Sequence, residues 1–233
     1  MNFINNAISF FKDGGFFLYP LALIFIVGVA IAIERYVYLT RETLRNRGLW
    51  DELVPHLTSG NFKQAVGLTQ NSKASIATIL NYGISRVASA RRRDDIEKAM
   101  DESMLEIIPR LEKRTHFLSS LANIGLLIGL LGTIGGLIDA FSAVSTANPA
   151  EKATLLAQAI AVAMHNTAAG LGVAITLLLS HMFLEAKTTA LIDSLEIASV
   201  KFLNSVTERS AEVPAQPASP AVAPRAAAAR SPI

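Results

Sequence analysis

An all-α integral membrane protein with three transmembrane helices and long helical cytoplasmic extensions is the fold class this sequence predicts. Three observations predict it. First, three stretches contain no Asp, Glu, Lys or Arg: residues 14–33, 115–138 and 153–184. A hydrocarbon core of about 30 Å needs roughly 20 helical residues, so each stretch is long enough to cross. Second, 51% of the 233 residues are hydrophobic and only 17% charged, which leaves too few charges to solvate three buried helices of this length in a soluble domain. Third, thirteen Lys or Arg lie between Thr40 and Arg114, whereas Lys12 alone precedes the first span and Lys152 alone lies between the second and third. The positive-inside bias then puts the amino terminus outside and the carboxyl terminus in the cytoplasm.

Each segment follows in order. Residues 1–13 set Ile4, Ala7, Ile8 and Phe11 at helical spacing and predict a short helix in the periplasmic interface, too short to cross. Residues 14–39 form the first span, with Pro20 near its start, where a missing amide costs little. Its apolar run, ending at Ile33, is followed by Glu34, Arg35, Arg41, Arg45 and Arg47, the pattern of an uncleaved anchor. Residues 40–114 are a cytoplasmic helical region. There Asn61 is the expected cap of a helix reaching Gln70, and Ser72 the cap of one beginning near Lys73. The run Arg91-Arg92-Arg93-Asp94-Asp95 opens a further helix expected to bend at Pro109 and continue into the second span. Its arginines suit either a solvated face with internal ion pairs or a site for anionic lipid or a partner.

The second span covers residues 115–145, a periplasmic loop 146–153 and the third span 154–187. A cytoplasmic helix, 188–209, carries Leu191, Leu195, Ala198 and Phe202 on one side. Residues 210–233 hold five of the nine prolines and nine alanines, the composition of a disordered tail.

Several functions are excluded or disfavoured by what is missing. With no cysteine there is no disulfide framework, thiolate catalysis or Cys-ligated metal. Of the four histidines, His56, His116, His165 and His181, the two inside one span are 16 residues apart and fall on nearly opposite faces. Neither a metal site nor a Ser-His dyad follows, so the chain is not expected to be an enzyme, and no cofactor is implied. The basic residues are accounted for by topology and membrane lipid, so nucleic acid is not an expected partner.

The informative residues are small. Gly129, Thr133, Gly136 and Ala140 in the second span and Ala163, Thr167, Gly170 and Ala174 in the third share one spacing. At about 100° per residue each set occupies roughly 60° of helix surface. Ala122 and Gly125 extend the first stripe and His181 the second. Such stripes serve close helix packing, since lipid provides no hydrophobic drive for helices to associate. Two matching stripes, each interrupted by a threonine near mid-membrane, also suit a surface against which another helix sits or moves.

Those residues carry a resemblance. The segment Gly125–Phe141, GLLIGLLGTIGGLIDAF, resembles the GLLGTxxGxxxAF signature of the MotA/TolQ/ExbB proton channel family, and Asn166–Ile175, NTAAGLGVAI, resembles its third-span TAxGLxxAIP motif. Residues Ile33–Leu39, IERYVYL, look like its exit from the first span. The resemblance covers nearly all of residues 14–208. It implies a homo-pentameric helical funnel whose inner wall is the second and third spans, an oligomer also suggested by stripes too extensive for one three-helix chain to bury. Within the funnel sit two copies of a single-span partner of the ExbD/TolR/MotB type with an intramembrane Asp, coupled in some members to a TonB-like or TolA-like protein. It implies that Thr133 and Thr167 face the ion pathway for a proton or sodium, that Glu34 and Arg35 pair at the inner interface, and that the chain resides in the bacterial inner membrane. Two departures stand out: Val162 occupies the position of the glutamate usual in TolQ and ExbB, and Thr176, Ser180 and His181 replace the family's proline and Tyr-Asn. The three-span order remains TolQ/ExbB-like.

Two more intramembrane groups are candidates because ionisable residues in a span are functional by default. Asp139 lies about 120° from Thr133, placed to snorkel or to pair with Lys152. His165, beside Asn166 and about 160° from Thr167, fits either a subunit contact or a water-bonded polar site on the ion path.

Overall fold

A computed structural model describes residues 15–87 and 92–212. Among them are six α-helices: α1 (Leu18–Ser59), α2 (Phe62–Asn71), α3 (Ser75–Val87), α4 (Arg93–Glu112), α5 (Thr115–Thr146) and α6 (Lys152–Glu212). The expected interfacial helix at 1–13, Arg91 of the arginine run and most of the expected tail, from 213 onward, lie outside the described residues.

Three helical segments are long and apolar enough to cross a membrane: α1, the α4–α5 pair and α6. The two outer spans do not stop where their apolar runs stop. Helix α1 has 42 residues and α6 has 61, about 63 and 92 Å at about 1.5 Å per residue, so each carries its span directly into a polar extension. The expected helix 188–209 is the second half of α6 and not a separate element.

Beyond the apolar segments α1, α2, α3, α4 and the end of α6 share one core, in which Leu53, Ile79, Leu80, Met100, Leu195 and Phe202 are all but inaccessible. From Gly170 on, α6 repeats every seven residues: Gly170, Ala174, Leu177, Leu184, Thr188, Leu191, Leu195, Ala198 and Phe202 are buried, and with the half-buried His181 between Leu177 and Leu184 the spacings alternate between four and three. A 3.5-residue period keeps one face inward over many turns, so a single stripe serves both the span and the extension.

Local signals explain the breaks. Helix α1 ends at Gly60, whose φ of 73° is the left-handed conformation that closes a helix; Asn61 N–H returns to His56 O at 2.9 Å. Asn61 then caps α2 as expected, accepting from Gln64 N–H at 3.4 Å while its own amide donates to the Gln64 side chain at 2.7 Å. Ser72 accepts from Ala74 N–H at 3.2 Å, but α3 starts at Ser75 and its first turn is held from α1. Glu42 Oε1 accepts from Ser75 N–H and Oγ–H at 2.7 and 2.6 Å, and Asn46 Oδ1 accepts from Ile76 N–H at 3.1 Å. A buried carboxylate at a helix N-terminus satisfies orphan amides and the positive end of the helix dipole together.

The expected continuation of α4 into the second span is corrected. Pro109 sits inside α4, and the chain breaks five residues later at Arg114, whose φ is 69°. The proline ring removes the one amide that would bond Leu105 O, a loss the rest of the helix tolerates, whereas a left-handed residue cannot be accommodated in a helix at all.

Replacing Glu42 by Ala should destabilise the polar bundle by about 1–3 kcal/mol, because two donors at the start of α3 lose their acceptor in a buried setting. Thermal unfolding in detergent, with the exposed Glu52→Ala as control, measures it; equal melting temperatures for the two variants would contradict this account of the α3 start.

Candidate functional site

The two small-residue stripes face each other. A Cβ built on Gly129 would lie 2.8 Å from Gly170 Cα and 3.0 Å from Asn166 O; one on Gly136 would lie 3.1 Å from Ala163 Cβ. Here the backbones of α5 and α6 are in direct contact, which only Gly permits. Gly125 continues the seam against Val173, and Ala140, Ala163 and Ala174 are buried. Most of each stripe is therefore covered within one chain, which corrects the expectation that the stripes exceed what a single chain can bury: the close crossing pairs glycine with glycine and leaves Thr133, Gly136 and Thr167 partly exposed.

At one edge of this seam stand Thr133 and Thr167, each half-buried, their hydroxyls 3.4 Å apart with Thr167 donating to Thr133. Thr133 in turn donates to Leu130 O at 2.5 Å. The back-bond leaves its lone pairs as the free capacity of the pair. Inside the seam Asn166, 3% exposed, points its amide at Gly132 O at 3.5 Å, and its Oδ1 is buried without a partner. Gly132, which the stripe pattern passes over, makes room for it: a Cβ there would sit 2.8 Å from Asn166 Cβ. The sequence signal was the tripeptide Gly132-Thr133-Ile134, whose glycine lies outside the narrow stripe.

The other candidates fall elsewhere. Asp139 is exposed on the outer face of α5 and makes no ion pair with Lys152. His165 is exposed on α6, its Nδ1 2.7 Å from Ala161 O, and it is not brought to the threonines. Val162 lies near the start of the chain's described part, where a Cβ on Gly15 would meet its side chain at 3.8 Å. Among the described residues no carboxylate lines the seam, and no group of three or more His, Cys, Asp or Glu is placed to hold a metal.

At the polar end of the spans the expected Glu34–Arg35 pair does not form. Successive residues on a helix point about 100° apart, and each finds its own partner. Glu34 accepts two bonds of 2.8 Å from Arg114, the left-handed residue of the α4–α5 break. Arg35 is buried, donates to Leu111 O and lies 4.7 Å from the Tyr38 ring centroid. Lys187 of α6 reaches Thr40 Oγ1 at 2.6 Å and sits 4.1 Å from the Tyr36 ring centroid. All three spans are thus tied together through α1 at one level.

Comparison with known proteins bears on the same segments. The model of the MotA/TolQ/ExbB proton channel family matches residues 71–197, which includes both threonines. An ExbB homolog named for biopolymer transport, from Methanothermobacter thermautotrophicus, is 26% identical over 203 residues, 84% of this chain and 69% of the relative. The Tol-Pal system protein TolQ of Haemophilus influenzae is 36% identical over 94 residues, 40% of this chain and 41% of the relative. Biopolymer transport protein exbB1 of Vibrio cholerae is 29% identical over 167 residues, covering 69% and 71%.

Gly129→Ala and Gly170→Ala should each lower stability by about 1–3 kcal/mol, since the new methyl meets backbone and not a flexible side chain. Gly172→Ala, which would meet nothing within 4 Å, should be neutral or slightly stabilising. Melting of the three variants in one detergent checks the order, and a Gly172 variant as damaged as the others would contradict the seam.

Proposed function

Because the chain belongs to the MotA/TolQ/ExbB proton channel family, we propose that it is the ion-channel and stator subunit of a motor driven by the proton motive force in the bacterial inner membrane. Its work is biopolymer transport, as the names of its ExbB relatives suggest, or protein transport or envelope work of the same kind. The observation that carries the reading is the paired hydroxyls of Thr133 and Thr167, 3.4 Å apart at the edge of a rigid glycine seam within the spans. Two hydroxyls can donate to and accept from a carboxyl group passing them, but neither holds a proton of its own at neutral pH.

The titrating group in this reading belongs to a partner. Five copies of the chain surround two copies of a single-span protein with one intramembrane Asp, whose carboxyl loads on one side and releases on the other. Desolvation raises the pKa of such an acid, which keeps it protonated long enough to move. A charge crossing the full potential is worth about 2.3 kcal/mol per 100 mV, and that energy drives the motion. In the same reading the amino terminus is periplasmic and the carboxyl terminus cytoplasmic, the transported ion is a proton with sodium as the variant, and the chain does no enzymatic chemistry. The buried stripes favour one competing reading, a non-conducting oligomeric scaffold in which small residues only pack helices.

Thr133→Val and Thr167→Val separate the two. Valine keeps the shape and removes the hydroxyl, so both variants should assemble like wild type, with five copies by native mass spectrometry, while proton flux in liposomes with the partner falls about tenfold or more. Unchanged flux in both would favour the scaffold. The chain alone in liposomes should conduct no protons. Substantial flux without the partner would return attention to Asp139 and His165.

A further inference from the structure

Below the seam, where α5 begins and α6 leaves the apolar region, the helices part around a cavity of about 230 Å³. Its walls are chemically unlike the rest of the spans. Thr115 and His181 lie within it; Glu112 of α4, His116 of α5 and Glu185 of α6 are the titratable groups around it, all three exposed. Thr115 is 5% exposed and its hydroxyl has no partner. His181, its side chain 20% exposed, has a buried Nδ1 without a partner and an Nε2 3.7 Å from Glu185 Oε2.

The heptad stripe of α6 makes the histidine notable. His181 stands at a core position between Leu177 and Leu184, both buried, where a leucine would pack without desolvating a ring nitrogen. Two orphaned polar atoms beside a space that holds several waters, at about 30 Å³ each, describe a hydrated pocket. It lies 14 residues along α6 from Thr167, about 21 Å at about 1.5 Å per residue, at the polar end of the span. Exposed carboxylates at its rim connect it to bulk water.

We propose that this pocket is the cytoplasmic proton port of the chain, with His181 as its proton-carrying group. The inference rests on the proton-conducting reading given above and adds to it the group that receives the ion after the partner's carboxyl releases it. Neutral imidazole takes a proton at Nδ1 from the pocket water and becomes imidazolium. The Nε2 proton then passes to the Glu185 carboxylate and on to bulk water, leaving the ring neutral. One proton enters, one leaves, and water in the pocket restores the first tautomer by carrying the remaining proton from Nδ1 to Nε2. His116 and Glu112 face the same water and complete its exchange with the cytoplasm.

The test uses the full complex of this chain with its single-span partner in liposomes, with proton flux read against the pH on the cytoplasmic face. In wild type, flux should depend on that pH, as expected of conduction through an imidazole. His181→Gln should assemble, lower flux about tenfold and abolish that dependence. His181→Ala, should the glutamine variant fail to assemble, should recover flux when imidazole is supplied on the cytoplasmic face, an effect that a packing role for His181 does not produce. Wild-type rate and pH profile in His181→Gln, or no recovery of the alanine variant by imidazole, would overturn the port while leaving conduction by the complex intact. No flux from the wild-type complex would instead remove the conducting reading, and the port with it.

Discussion

The backbone contact between α5 and α6 at Gly129 and Gly170 is the constraint on which the rest of the spans depends. In lipid the apolar faces of a helix gain nothing by leaving the solvent, so two helices stay together through van der Waals contact, and that contact is best where Cα can touch Cα. A crossing this close fixes rotation as well as distance. It sets Thr133 and Thr167 side by side at the seam's edge, turns Asn166 inward onto Gly132, and leaves Asp139 and His165 outside. Loosening the crossing by one methyl group would act on all of these positions together.

The same helix then changes solvent without changing its face. The α6 stripe carries Gly170 and Ala174 where it crosses α5, Leu177 where it meets Gly28 of α1, and mostly Leu with Phe202 where it joins the polar bundle and apolar burial contributes. Between the two regimes lies a belt of charged and aromatic groups, Glu34 with Arg114, Arg35 with Leu111 O and Tyr38, Lys187 with Thr40 and Tyr36. Arg114 joins both problems. Its left-handed backbone costs about 1–3 kcal/mol at a non-glycine residue, and the bonds from its Nη1 to both Glu34 oxygens are one interaction that offsets the strain.

Local patterns in the sequence specified the span order, the Asn61 cap and the faces of the two stripes, because composition and 3.6-residue periodicity are properties of a single segment. They did not specify what lies opposite a face. The stripes read equally well as a surface for a foreign helix, and only the crossing shows that they cover each other. Glu34 was legible as an interfacial charge, but its partner is 80 residues away, and the Glu42 and Asn46 caps of α3 bridge 33 and 30 residues. Pro109 misled for a related reason: a proline is a visible breaker, whereas the left-handed turn at Arg114 has no residue type that announces it.

The polar groups of the spans divide by what they can do with a proton. Thr133, Thr167 and Asn166 hydrogen-bond without ionising near neutral pH, so they can shape the environment of a charge but cannot retain one. A wall of this kind suits the proposed stator, because a net hydrogen bond of about 1 kcal/mol is smaller than the roughly 2.3 kcal/mol per 100 mV available from the potential. A carboxyl group passing the hydroxyls would be guided and not trapped. The groups that ionise lie off the seam instead, Asp139 and His165 exposed on other faces of their helices and His181 with its acidic neighbours at the polar end. Separating the guiding surface from the titrating groups lets the seam stay rigid while protonation changes on either side of it.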